Sequence, residues 1–341
     1  APPLLVSATL AEMGFRGSVV LSAVCCRHVV ATASYDTTAR LWNPDSGDCV
    51  MQLLGHHSKV FAAVFTPDLA RVVTASEDGA ARVWNAATGD CLVKLEGHAG
   101  DVYSAVFSSD SQLVVTASAD KSAKVWSVDG GEARPLLRDL RGHGDEVYLA
   151  TFSPDDRLIL TASGDHTAKL WDAQSGNCVR TLAGHVEGVV RAEWSHGGGL
   201  VVTASDDRCA KVWLSETGRC VSCLPHLGAV KYAAFAPSGS LIVTTSDDRT
   251  AKLWSATSGD LLWTLAGHSD VVYNANFDPS CRLVVTCSED TDAKIWDVQT
   301  GECVATLANH EDAVTWAEFD SEGQTLVTAS WDSSVMLWSR D

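Results

Sequence analysis

The sequence predicts an all-β protein: a closed ring of eight blades, four antiparallel strands in each, forming a single domain over residues 1–341. Three observations predict it. Tryptophan recurs at 42, 84, 126, 171, 213, 254, 296 and 338, in steps of 41 to 45 residues. Each of these tryptophans has an Asp six residues before it and a Thr ten before it. Each period carries four strand signals separated by tight turns, and no stretch has the length or spacing of a helix.

The second period shows the elements in order. Val60 to Phe65 is rich in β-formers and ends at the turn Thr66-Pro67-Asp68. Arg71 to Ser76 is the next strand, and Glu77-Asp78-Gly79 turns the chain into Ala80 to Trp84. Ala87-Thr88-Gly89-Asp90 turns it again into Cys91 to Leu95. Gly, Pro, Asp and Asn at these points supply the backbone freedom and local hydrogen bonds that turns require.

The ends of the chain complement each other. Only Ser339, Arg340 and Asp341 follow Trp338, too few for a fourth strand. Thr9-Leu10-Ala11 matches Thr181-Leu182-Ala183, Thr264-Leu265-Ala266 and Thr306-Leu307-Ala308, which end outer strands. Residues 3–11 are therefore expected to complete the last blade and close the ring, leaving no open edge. No secretory leader is recognisable at the N-terminus. The chain lacks an initiator Met, and reads as processed or as a domain of a longer protein.

Composition narrows the function. The net charge of −18 disfavours nucleic acid and anionic membranes and suits a basic partner. No apolar run approaches the ~18 residues that span a membrane. Of eleven cysteines, Cys49, Cys91, Cys178, Cys220 and Cys303 occupy one repeat-equivalent position. They are expected on five blades, too far apart to pair, which points to a reducing cytoplasmic or nuclear setting.

Gly97-His98 through Val125-Trp126, and Gly267-His268 through Trp296-Asp297, resemble the WD-repeat family over essentially the whole chain. The resemblance implies an eight-bladed WD-repeat β-propeller, one blade per repeat. It also implies a buried hydrogen-bonded relay in each of seven blades. Those relays are His56, Thr74, Asp78 and Trp84; His98, Thr116, Asp120 and Trp126; and His143, Thr161, Asp165 and Trp171. The others are His185, Thr203, Asp207 and Trp213; His226, Thr244, Asp248 and Trp254; His268, Thr286, Asp290 and Trp296; and His310, Thr328, Asp332 and Trp338. Donor and acceptor counts permit such a chain, since Asp only accepts, the indole only donates, and His and Thr do both. Blade one departs from the pattern, with Glu12-Met13 where the Gly-His pair should stand and no Pro-Asp turn after Gly17 to Leu21. It is expected to be the least rigid blade.

The resemblance further implies that the face bearing the His loops and Asp turns carries interactions. Three positions per blade point there: three and five residues after the His, and the residue before the Asp. They single out Phe61, Tyr103, Tyr148, Tyr273, Trp331 and Tyr35 as aromatic anchors, with Glu77, Asp101, Glu146 and Glu289 as flanking carboxylates. These positions vary where structural ones repeat, and aromatic anchors beside carboxylates are the makings of a binding hot spot. The expected function is a non-catalytic scaffold or adaptor binding a Lys- or Arg-containing peptide or domain. The propeller is expected to be monomeric within a larger complex. A ribonucleoprotein or chromatin subunit, with Lys231, Arg208 and Arg249 as its basic patch, and the sensor domain of a larger protein are the alternatives.

Catalytic signals are weak. Cys220-Val221-Ser222-Cys223 with His226 lacks the second ligand pair of a zinc site. No phosphate loop or nucleophile elbow occurs. No metal or cofactor is implied, and no non-repeating set of acid, base or nucleophile is expected to converge on the central channel.

Overall fold

In the computed structural model, residues 4–9, 20–26, 29–44, 46–128 and 136–340 are described, with the backbone alone for 4–9, 20–26 and Arg340. These residues form eight four-stranded antiparallel sheets and no helix. Blade one comprises Val20–Cys26, Val29–Ser34, Ala39–Trp42 and Cys49–Leu53. Blade two comprises Val60–Phe65, Arg71–Ser76, Ala80–Asn85 and Cys91–Glu96. The pattern repeats to blade eight, where Val314–Phe319, Thr325–Ser330 and Val335–Arg340 are joined by Leu4–Thr9. Leu4–Thr9 runs antiparallel to Val335–Arg340, from Leu4 opposite Arg340 to Thr9 opposite Met336. Glu12, Met13 and the Gly17 turn lie outside the described residues.

Burial follows position in the blade. Second strands, such as Leu113–Ser118, are buried on both faces after their first residue, which is why they read as near-continuous Val/Leu-Val-Thr-Ala-Ser runs. Outer strands, such as Cys91–Glu96, keep one fully buried residue, Leu95, and face solvent elsewhere. The first strands of successive blades touch one another around the whole ring and so enclose a central axis.

The core is divided among the interfaces. Blades one and two share a cluster built on Leu41, Leu53, Val60, Phe65 and Trp84, and each following pair has its counterpart. Val30 and Trp42 of blade one pack with Val327, Ala329, Val335 and Leu337 of blade eight. Each ring tryptophan packs against the preceding blade. This contact ties adjacent blades through apolar burial worth about 2–3 kcal/mol per large side chain.

Two turn features set the loops that position the candidate site. The residue after every repeat Asp has positive φ: Thr37, Gly79, Lys121, His166, Arg208, Arg249, Thr291 and Ser333. The Asp side chain bridges the turn, as where Asp165 Oδ1 accepts from Thr167 N at 3.0 Å and Thr167 Oγ1 at 2.6 Å. At Gly184, φ is +154°, and a Cβ would meet the Trp213 ring at 3.3 Å. Glycine there lets the chain pass over the indole to deliver His185.

Candidate functional site

The relay residues meet in seven blades. In blade four, Asp165 Oδ2 lies 2.7 Å from His143 Nδ1, His143 Nε2 lies 2.7 Å from Thr161 Oγ1, and Trp171 Nε1 donates to Thr161 at 2.9 Å. Because the carboxylate can only accept, the imidazole proton sits on Nδ1, and Thr161 donates to Nε2. Blades two, three, five, six, seven and eight hold the same geometry, with His–Asp distances of 2.7–2.9 Å. The substitution of Pro225 for the usual glycine leaves His226 in place, 2.9 Å from Asp248 and 2.7 Å from Thr244. Burial lowers the His56, His98, His143, His185 and His226 imidazoles from their ordinary pKa, His226 to about 4, against the pull of their carboxylates. Blade one keeps Trp42 donating to Thr32 at 3.0 Å, while Arg40 takes the place of histidine on Asp36 at 2.7 Å.

These histidines and carboxylates are saturated by one another, so they act as struts. A basic residue stands two before seven of the tryptophans, and two of these show how they are held. Lys124 is buried and pairs with Asp139 at 2.9 Å, and Lys252 donates to Pro225 O at 2.8 Å.

On the loop face, the anchors form two aromatic groups. Tyr35, Phe61, Tyr103 and Tyr148, on blades one to four, make a continuous row with ring centroids 6.2, 5.7 and 5.9 Å apart. Tyr273 and Trp331, on blades seven and eight, form a second group at 6.0 Å. Such edge-to-face and tilted pairs fix ring orientation. The carboxylates border both groups. Glu146 accepts from Tyr103 OH at 3.0 Å, and Glu289 accepts from Tyr273 OH at 2.9 Å. Burial, then the bond to Glu146 and the charges of Glu146 and Asp101, push the Tyr103 phenol up. Glu77 is held below the usual carboxylate range by hydrogen bonds from Ser58 and Lys59, and the Lys59 ammonium also lies 4.9 Å from the Tyr35 ring centre. This last contact shows a cation already seated between ring and carboxylate.

The basic patch reads differently. Lys231 sits between Asp206 at 3.2 Å and Asp247 at 3.3 Å, which neutralise it.

Two features were missed from sequence. Cys209 and Cys223, on neighbouring strands of blade five, form a disulfide, so Cys223 is not available as a thiolate ligand. Their separation of 14 residues, diagonal across two strands, is visible only once the register is known. Cys49, Cys91, Cys178, Cys220 and Cys303 are unpaired.

The second lies in the central channel, where no non-repeating set of acid, base or nucleophile was expected to converge. The first strands of blades five to eight bring Arg191, Glu193, Tyr232, Asn274, Asn276, Trp316 and Glu318 together, where blades two to four offer Ala62, Val64, Ser104, Val106, Leu149 and Thr151. The Arg191 guanidinium carbon lies 4.7 Å from the Tyr232 ring and 5.9 Å from that of Trp316, which meet edge to face at 6.2 Å. Burial pushes the Glu193 and Glu318 carboxyls up to about 7 although Arg191 pulls each down. The signal was present in the sequence as variation at the third and fifth positions of the first strand.

A family model described as "WD domain, G-beta repeat" matches residues 47–85, 89–127, 134–172, 176–213, 218–255, 259–297 and 301–339. The stretch before residue 47, whose repeat lacks the histidine, is unmatched. Among solved structures, the chain is similar to a crystal structure of the computationally designed protein Ika8. The two are 28% identical, with a TM-score of 0.85 over 95% of this chain and 97% of that one. No curated protein matches.

Proposed function

The chain belongs to the WD-repeat family, and from that premise we propose that it is a non-catalytic adaptor that holds a Lys- or Arg-containing peptide segment across its loop face. Propellers of this family generally act as protein-interaction scaffolds. The observation that carries the finer reading is the row Tyr35–Phe61–Tyr103–Tyr148, four rings over four blades, bordered by Glu77, Asp101 and Glu146. Aromatic faces and carboxylates together favour a cation with an aliphatic stem. The overall charge of −18 adds long-range attraction for such a segment. The neutralised Lys231 supports a peptide over a polyphosphate chain.

The test is a peptide array carrying matched segments with and without Lys and Arg, probed with the full chain. Wild type should retain the basic segments. Replacing Phe61, Tyr103 and Tyr148 together with Ala should weaken retention at least tenfold, since each anchor contributes about 1–2 kcal/mol, with the melting temperature unchanged. Equal retention by the triple variant would place the site elsewhere. A cytosolic or nuclear setting is proposed with it, supported by seven unpaired cysteines among the described residues. Intact mass of the protein purified from its own cell without reductant decides whether Cys209–Cys223 forms there.

A further inference from the structure

The central channel holds a cluster that the loop-face reading does not use. From it we propose a second site, in which Arg191 binds a small oxyanion, a carboxylate or sulfate-like group, beside Glu193 and Glu318.

Part of the cluster is explained by the fold. An innermost strand exposes backbone groups to the next blade, and side chains meet them. Glu193 Oε1 accepts from Phe235 N at 3.2 Å, and Asn276 Nδ2 donates to Ala317 O at 2.8 Å. Ser104 does the same in blade three, accepting from Ala150 N at 3.2 Å. Arg191 satisfies no backbone group. Its Nη2 makes one long bond, 3.4 Å, to Tyr232 OH, and its Nε–H is buried without an acceptor. No carboxylate among the described residues lies within ion-pairing distance of it, although two line the same channel.

Counting donors and acceptors identifies the chemistry. Arg191 Nε–H lacks an acceptor, and so does Asn274 Nδ2, on a side chain 2% exposed whose Oδ1 is taken by Asn276 at 3.1 Å and Ala317 N at 3.4 Å. With their pKa pushed up to about 7, Glu193 and Glu318 each hold a proton about half the time near neutral pH and fully in mild acid, and a protonated carboxyl adds a further donor. The unmet demand is therefore for acceptor oxygens. The guanidinium carbon lies 4.7 Å from the Tyr232 ring centre and 5.9 Å from that of Trp316, and its unaccepted Nε–H together with the remaining Nη hydrogens suits a planar two-oxygen ligand. In mild acid, one positive charge and two neutral carboxyls match one negative ligand.

The groups facing these carboxyls are Arg191 on blade five, Tyr232 and the Phe235 N–H on blade six, the Trp316 indole N–H on blade eight, and each other. An anion bound at Arg191 favours their protonated forms, so binding takes up protons. The net charge of −18 opposes entry only over about one Debye length, roughly 8 Å at physiological salt.

Calorimetry of the full chain with sodium acetate, and separately sodium sulfate, distinguishes a planar carboxylate from a tetrahedral ion. Sodium chloride keeps ionic strength constant, and neither probe titrates in the range used. Above about pH 7, affinity should fall by up to about tenfold per pH unit for each proton taken up. R191M should lose binding at least tenfold, whereas E193Q and E318Q should bind with a flattened pH slope. If R191M does not fold, the slopes of the two glutamine variants decide alone. Undiminished binding by folded R191M, unchanged slopes in the glutamine variants, absence of heat with both anions, or methylammonium binding that strengthens as pH rises would each overturn the assignment.

Discussion

Each relay residue has one job, fixed by how many protons it can give or take. Thr161 is the hinge of its relay, donating to His143 and accepting from Trp171, both buried. Thr161→Val keeps the shape and removes both bonds, and should cost about 3 kcal/mol, since each orphaned buried group costs about 1–3. Urea denaturation measures it. A second residue-scale cost lies in the Asp turns. Thr291 is β-branched yet sits at φ 74°, a conformation that crowds its Cβ. Thr291→Gly should raise stability by about 0.5–1 kcal/mol, net of the chain entropy that glycine adds. Thermal melts would show it, and a loss of stability would mean that the turn tolerates threonine without strain.

At the scale of strands and blades, the eighth interface differs from the others in how it is made. Seven blades are each built from one uninterrupted stretch of chain, whereas blade eight draws Leu4–Thr9 from the far end. Residues from 4 to 9 bring backbone pairing to an edge that otherwise ends at Val335–Arg340. Removing residues 1–10 should lower the melting temperature and promote aggregation, because an unpaired edge templates other chains. The cluster of Val30, Trp42, Val327 and Leu337 still joins blades one and eight without that strand. The truncated ring is therefore expected to remain folded while melting earlier. An unchanged melting curve would remove the strand from the closure.

The whole molecule sums opposing titrations. Buried histidines have lowered pKa in the fold, so the unfolded chain binds more protons below about 6.5 and stability falls with acid. Glu193 and Glu318 act oppositely. Raised from 4.5 to about 7, they are protonated in the fold over a range where the unfolded chain has lost those protons. Their contribution is full below about pH 4.5 and is lost as pH rises through about 7. E193Q or E318Q should thus be more stable than wild type by about 2 kcal/mol above pH 8, discounting for water that reaches the channel. Denaturation at several pH values checks the sign. The channel also ties together blades that are not all neighbours in sequence, since Arg191 of blade five reaches the rings of blades six and eight.

Sequence by itself determined what repeats. The Trp, Asp and Thr positions recur in all eight repeats and the His in seven, because every blade solves the same problem of burying one indole and satisfying its N–H, and a local solution leaves a local signature. The aromatic anchors were legible for the complementary reason, as the positions where repetition fails. Only the tertiary structure decided which non-repeating residues meet. Tyr35 joins the row of Phe61, Tyr103 and Tyr148, while Trp331 packs on Tyr273, because ring contacts depend on where each loop ends in space. Cys209 meets Cys223 through strand register. Arg191, Tyr232 and Trp316 are separated by 125 residues from first to last and become neighbours only because the first strands face a common axis. Convergence on an axis is a property of ring geometry, and no window of sequence contains it.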